Sequence, residues 1–443
     1  MKEHYQKLAK HGLKVPEILM PQNADLQKWA VIACDQFTQD RDYWEGVKNA
    51  AGQSPSTLNL IIPEVFLADG DEKQRIAAIH ENMKSYLDGG VFAAPRQGVV
   101  YIERDTRINK KRRGLVVALD LEQYEWKPEA RPLIRSTEGT VVERLPPRMD
   151  IRRGAPLESP HVLLLIDDET DSLLAELGER AKKNKAFYET KLMMDSGSIA
   201  GWLLESDEDL AFFAERLDQL ARRSVTRYYD GGKEGAPFLL AVGDGNHSLA
   251  AAKGIWEEYK AANSGKADFN AEHSCRYALV EIENIYDKAI QFEPIHRVIF
   301  GLNLDATVAI LSKLPGFSSR PVKEWQELMR LCGEPFNGNR FGLVCGNSYL
   351  LVETSDTDIS TASLQPLLDE SVEAAAIDYI HGEEEVLRLA SKKDSPATGI
   401  ILPPFNKAGL FETIAHIGPL PRKSFSMGIA SEKRFYMECR RLF

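Results

Sequence analysis

Residues 237–259 read PFLLAVGDGNHSLAAAKGIWEEY. A mostly apolar run enters Gly-Asp-Gly-Asn-His-Ser, after which Leu249, Ala252, Trp256 and Tyr259 recur at spacings of 3, 4 and 3. That order is strand, glycine turn, helix with one apolar face. Gly243 and Gly245 permit positive φ and close backbone approach. A helix N-terminus presents unpaired N–H groups and the positive end of its dipole, which suits an anion. In an α/β sheet, ligands sit beyond the carboxyl ends of strands, where this turn falls. The stretch therefore predicts α/β architecture and marks a candidate site.

The turn carries four kinds of polar group. Asp244 is a candidate base or metal ligand. His247 is a candidate acid or phosphate donor, because imidazole changes charge near neutral pH. Asn246 adds a neutral donor, and Ser248 a hydroxyl. The competing structural role is a helix cap at Asp244 or Asn246 with His247 packed inside. The spacing matches neither the G-x-x-x-x-G-K-[ST] phosphate loop nor the G-x-S-x-G nucleophile turn.

The same alternation extends outward through residues 1–300. Strands are expected at 29–34, 58–63, 98–104, 113–121, 161–168, 238–244 and 277–284, and helices at 71–88, 170–184, 207–223 and 248–262. Segment 123–160 is dense in Pro, Arg and Glu with little apolar periodicity, so it reads as a functional loop region or a linker. Beyond 300 the texture changes. Residues 341–353 read as a hairpin turning at Gly346 and Asn347, helices are expected at 372–392 and 406–416 around a strand at 398–404, and 433–441 has helical character. The expected organisation is a mixed sheet with helices in a large N-terminal α/β domain, 1–302, and a smaller α+β domain, 303–443. The first carries the glycine turn and the arginine-rich block.

Composition narrows the classes. The 443 residues are 43% hydrophobic and 27% charged, as in ordinary globular proteins, and the length favours two domains. A net charge of −11 argues against a nucleic-acid-coating role, which needs a basic face. No apolar run approaches the roughly 20 residues that span a bilayer. Five cysteines (Cys34, Cys275, Cys332, Cys345, Cys439), odd in number and never in C-x-x-C, read as reduced thiols in a cytoplasm.

Two further clusters carry charge. In RSTEGTVVERLPPRMDIRR (135–153), Thr137, Glu138, Arg144 and Arg148 are the chosen candidates for an anionic ligand, since guanidinium forks clamp phosphate. HVLLLIDD (161–168) ends in Asp167 and Asp168, which could hold Mg²⁺ beside phosphates or cap the next helix. Arg297 and Lys423 are minor anion-binding candidates. His296 reads as a core histidine and Cys34 as a buried small thiol.

VGDGNHSLAAAK closely resembles the signature of the domain of unknown function 1015 family of bacterial and archaeal proteins. So do ACDQFTQDRDYW (33–44), STEGTVVERLPPR (136–148), LESPHVLLLIDD (157–168), FEPIHRVIF (292–300), IDYIHG (377–382) and LPRKSFSMGIASEKRFYMECR (420–440). The blocks run in order along almost the whole chain. The D-G-x-H turn is also similar to the phosphate-binding motif of the ParB/sulfiredoxin-like superfamily, which includes nucleotide-binding partition proteins, sulfiredoxin and free-serine kinases. Asp244, Gly245 and His247 match, while Ser248 stands where an arginine is expected. Losing that arginine removes a bidentate phosphate clamp, which Arg297 or an arginine of 144–153 would have to replace.

The expected protein is thus a cytoplasmic enzyme acting on a small phosphorylated or nucleotide-like molecule by phosphoryl transfer, with ATP or ADP and Mg²⁺ as the implied cofactors. Gly243, Gly245, Asn246, Ser248 and the chosen residues of 135–153 would bind the ligand. The alternatives are a metal-dependent hydrolase using Asp244, His247 and Asp167 or Asp168, and a ligand-sensing or partner-binding protein without catalysis. Substrate and oligomeric state are left open by the sequence.

Overall fold

The computed structural model describes residues 2–67, 69–108, 111–228, 237–392 and 396–443. The chain forms two compact units, one of residues 1–290 with 429–443 and one of residues 291–428. The strand 292–300, which the sequence division puts in the N-terminal part, therefore lies in the second unit, and the tail 429–443 in the first.

The first unit is built on a mixed ten-stranded sheet. Its order is Tyr188–Lys191, Ser198–Leu204, Val99–Asp105, Arg112–Asp120, Tyr277–Asn284, Leu163–Ile166, Leu240–Asp244, Ile134–Ser136 and Tyr124–Glu125, with Leu13–Lys14 pairing Arg112–Asp120 off that path. Tyr277–Asn284 is buried at every residue and Leu163–Ile166 likewise, which explains their near-continuous apolar runs. These two strands run parallel, as do Leu240–Asp244 and Ile134–Ser136; Leu240–Asp244 runs antiparallel to Leu163–Ile166. The apolar face of the helix Asn246–Asn263 buries Leu249, Ala252 and Trp256, and the Trp256 indole N–H donates to Glu122 Oε1 at 2.6 Å.

Several expected elements take other forms. WAVIAC is not a strand: a short helix, Leu26–Trp29, precedes it, and Ile32 makes an isolated antiparallel bridge with Phe435. LNLIIP begins as a 3-10 helix, Thr57–Leu60, capped by the Ser56 hydroxyl. Segment 123–160 contains short strands and the helix Leu145–Arg152, which Pro146 and Pro147 start, since proline's missing N–H costs nothing in a first turn. The tail 433–441 is not helical. It runs extended against 31–33, with Tyr436 N–H donating to Val31 O and Ala33 N–H to Arg434 O.

Buried charge fixes that tail. The Arg104 guanidinium donates to the carbonyls of Ser431, Glu432 and Lys433, and Arg434 pairs with Glu281 at 2.9 Å and with Glu438. Removing one partner of such a buried pair leaves an uncompensated charge, which costs about 3–5 kcal/mol. Tertiary electrostatics thus outweighs the helical tendency of this segment.

The second unit is a seven-stranded antiparallel sheet with helices. The expected hairpin is present as Asn339–Cys345 and Ser348–Thr354, with Gly346 at φ +60° in the turn. The expected helix 372–392 is instead a strand, Ile377–His381, followed by the helix Glu383–Ala390, with Gly382 at φ +81° between them. No helix among the described residues is long and apolar enough to cross a membrane.

Candidate active site

The turn at 243–248 takes its shape from two glycines. The pairing of Leu240–Asp244 with Leu163–Ile166 slips between Val242 and Asp244, so Gly243 sits in a bulge that re-aims the aspartate. Gly245 precedes the helix Asn246–Asn263 at φ +84°, and a Cβ there would lie 3.1–3.2 Å from Val162. Only glycine meets both demands without strain. Gly245 has no side chain to cap with, and no side-chain cap hydrogen bond closes the helix start. The positive end of the dipole therefore lies beside Asp244.

Loop 136–141 braces the turn. Thr137 Oγ1 donates to Val242 O, the Ser136 hydroxyl to Asn246 Oδ1, and Asn246 Nδ2 to Thr137 Oγ1 at 3.4 Å. The Val141 N–H donates to His247 Nε2 at 3.2 Å, so this nitrogen is an acceptor here and not a phosphate donor. Thr137, Asn246 and His247 are the scaffold of the turn.

Chemistry gathers around Asp244 from distant parts of the chain. Lys433 Nζ lies 3.2 Å from Asp244 Oδ2, with the lysine side chain buried. Asp35 is close enough for its charge to act on Asp244, and it accepts a hydrogen bond from Gln36 Nε2 at 2.9 Å. The two carboxylates are pushed in opposite directions. Burial raises the Asp244 pKa, and the Asp35 charge adds to that against the opposing pull of Lys433 and His161. Burial also works to raise Asp35, but His161, the Gln36 hydrogen bond, Lys433 and Arg148 outweigh it and hold Asp35 below the usual range. Asp35 stays ionised, while Asp244 is the stronger proton acceptor. Diverging carboxylates of this kind mark acid–base assignments.

Beside them runs a polar relay. His161 Nε2 is 2.9 Å from the Ser248 hydroxyl, His161 Nδ1 is 3.0 Å from the Tyr436 hydroxyl, and the Cys34 N–H donates to that same hydroxyl at 3.1 Å. Burial pushes the Cys34 thiol up to about 12, which disfavours the thiolate that a nucleophile needs. Arg148 lies at the same end, paired with Glu64 and donating to Arg144 O at 2.8 Å. Burial, above all, raises the Glu64 carboxyl, and Arg148 pulls against it.

The other sequence candidates lie elsewhere or are otherwise engaged. Arg144 is exposed and Glu138 half-buried. Asp168 is fully buried and accepts from Leu173 N–H at 2.8 Å and from the Thr170 and Ser172 hydroxyls, so it organises the start of a helix. Asp167 pairs with Arg227 at 3.1 Å and accepts from Tyr228. The two are therefore not a paired metal site. No group of three or more His, Cys, Asp or Glu among the described residues is placed to hold a metal ion. Arg297 belongs to the second unit, buried, with Nε donating to Gln365 Oε1 at 3.0 Å; Lys423, at φ +60°, belongs there too. His296 is a core histidine whose Nδ1 accepts from Leu402 N–H at 3.1 Å.

Asp35, Glu64, His161, Lys433 and Tyr436 escaped residue-by-residue reasoning, because none stands in a chemical motif. Four of the five do fall in blocks that carry the family resemblance: Asp35 in 33–44, His161 in 157–168, Lys433 and Tyr436 in 420–440.

The architecture is that of a mixed α/β protein with a polar cluster at the end of an interior strand. Residues 17–371 match the family described as Protein of unknown function (DUF1015), and the chain belongs to that family. No curated protein matches it. Among solved structures it is similar to a free serine kinase in complex with AMP, at 12% identity and TM-score 0.36, covering 73% of this chain and 90% of that one. A conserved hypothetical protein from Pyrococcus furiosus is similar at 12% identity and TM-score 0.35, covering 74% and 97%. SbnI with C-terminal truncation from Staphylococcus aureus is similar at 9% identity and TM-score 0.35, covering 72% and 85%. Likeness at this level carries no argument about ligand or reaction.

Proposed function

We propose that this chain is an intracellular phosphotransferase that moves a phosphoryl group from a nucleotide to the hydroxyl of a small molecule. The observation that carries the reading is the convergence of Asp35, Asp244 and Lys433 beside the uncapped start of the helix Asn246–Asn263. Phosphoryl transfer asks mainly for positioning and charge stabilisation, with a carboxylate to orient the attacking hydroxyl and cations to meet the phosphate. Asp244 is that acceptor: its raised proton affinity suits it to take the hydroxyl proton as attack proceeds. Lys433, buried and fixed by its backbone, stands at Asp244 with its charge ready for a phosphate oxygen. The helix N–H groups of 246–248 supply further donors.

Mg²⁺ suits one or two carboxylates better than an all-protein cage, because it keeps waters and takes phosphate oxygens as ligands. Asp35, whose proton affinity is lowered, is the residue that would hold it, and its chemistry there would be neutralisation of the phosphates, leaving Asp244 to the acceptor hydroxyl. His247 and Thr137 keep the turn in place. Arg148, engaged with Glu64 and lining one cavity with Ser248, is the guanidinium assigned to the role left open by Ser248.

The test is isothermal calorimetry of the full chain with ATP and ADP in the presence of Mg²⁺, followed by ³¹P NMR with a panel of hydroxyl compounds. Nucleotide binding lost in Lys433→Met, and transfer lost in Asp244→Asn, are the expected results. No nucleotide binding by the native protein overturns the reading.

A further inference from the structure

Next to the relay lies a cavity of about 140 Å³ within the first unit. Leu60, Ile61, Ile62, Met83, Leu157 and Ala251 give it an apolar wall. Ser248, His161, Tyr436 and Cys34 line it as well, so its polar groups include the hydrogen-bonded hydroxyl–imidazole–hydroxyl relay. The guanidiniums that line it already face carboxylates, Arg148 with Glu64 and Arg152 with Glu158 at 2.6 Å. The cavity therefore offers an apolar body a place and a hydroxyl a partner, while both guanidiniums of its wall are already charge-paired.

We infer that this cavity binds a neutral alcohol with a compact apolar body, about the size of a benzene ring. Asp244, Asp35 and Lys433 do not line it, so the binding needs neither a nucleotide nor the proposed transfer centre. A dry apolar cavity of about 150 Å³ takes benzene in an unrelated protein, which sets the scale. The hydroxyl of the alcohol would join the Ser248–His161 pair, at the end of the cavity formed by the first turn of the helix Asn246–Asn263. A zwitterionic amino acid fits poorly, since the lining guanidiniums are already charge-paired and Leu60, Ile61, Ile62, Met83, Leu157 and Ala251 would face its charges.

The test uses benzyl alcohol, toluene and free serine as probes, titrated calorimetrically into the full chain without nucleotide. Benzyl alcohol is expected to bind, and serine not to. Ala251→Phe fills the cavity and is expected to weaken benzyl alcohol at least tenfold, the scale of losing a snug apolar fit. Should that variant fail to fold, Ser248→Ala serves: it is expected to weaken benzyl alcohol several-fold while leaving toluene unchanged. Serine binding in preference to benzyl alcohol, or benzyl alcohol binding indifferent to both substitutions, overturns the inference. The two readings fail separately: absence of nucleotide binding sinks the phosphotransferase and leaves the cavity assignment, whereas absence of alcohol binding sinks the cavity assignment and leaves the phosphotransferase.

Discussion

Two pairs of aspartates differ instructively. Asp167 and Asp168 are neighbours at the end of a buried strand, the arrangement that suggests a metal site. Their carboxylates diverge, one to Arg227 and Tyr228, the other to the start of the next helix. Asp35 and Asp244 are far apart in the chain, yet the charge of Asp35 acts on Asp244. Adjacent side chains on a strand end are readily drawn off by local partners, since a nearby N–H or hydroxyl costs little entropy to reach. Asp244 is met instead by Lys433 and by the charge of Asp35, both from remote segments, so its proton affinity is set by tertiary contacts.

Substitution can break that contrast. Asp244→Asn is expected to lower phosphoryl transfer by at least about 100-fold, as loss of a general base does, with the melting temperature little changed; initial rates and calorimetry on one preparation decide it. Asp168→Ala should do the opposite. It removes the acceptor for Leu173 N–H and two hydroxyls, so urea denaturation should show a loss of about 1–2 kcal/mol, while the rate per folded molecule stays at the native value.

The pH profile sharpens the comparison further. The proposed transfer needs Asp244 deprotonated, so activity rises with pH through its folded pKa, above the ordinary aspartate range. Lys433 lowers that pKa and Asp35 raises it. Lys433→Met should therefore move the rising limb to higher pH, and Asp35→Asn to lower pH, whatever either does to the maximal rate. Carboxyl ¹³C NMR titration of Asp244 reads the same two directions without turnover. Neither change is expected from Asp167→Asn. Its partner Arg227 is partly exposed, so the stability loss from that ion pair should be about 1 kcal/mol or less. A limb that shifted with Asp167 would dissolve the distinction between the pairs.

Much of the fold is legible in the chain. Tyr277–Asn284 coincides with the expected strand, and the helix after the glycine turn starts at Asn246 with its apolar stripe inside. Where reading fails, long-range contacts have overridden local pattern. WAVIAC has strand composition but finds only one bridging partner in the tail. The tail has helical spacing but is drawn out straight by Arg104, Arg434 and Glu438. IDYIHG is absorbed into a strand because Ile377–His381 pairs along Ile295–Ile299 in the second unit.

The site divides in the same way. The sequence by itself determined the turn: two glycines, one bulged and one at positive φ, placing Asp244 at the start of a helix. Those are local conformational demands, written in the absence of a Cβ. Only the tertiary structure decided what faces Asp244. Residues 31–33 and 434–436 run side by side through backbone hydrogen bonds, and buried guanidiniums hold the second of these segments against its own helical tendency. Asp35, Lys433 and the His161–Tyr436 contact follow from that pairing, because a side chain's charge environment is set by whatever backbone is brought near it, however remote in the chain.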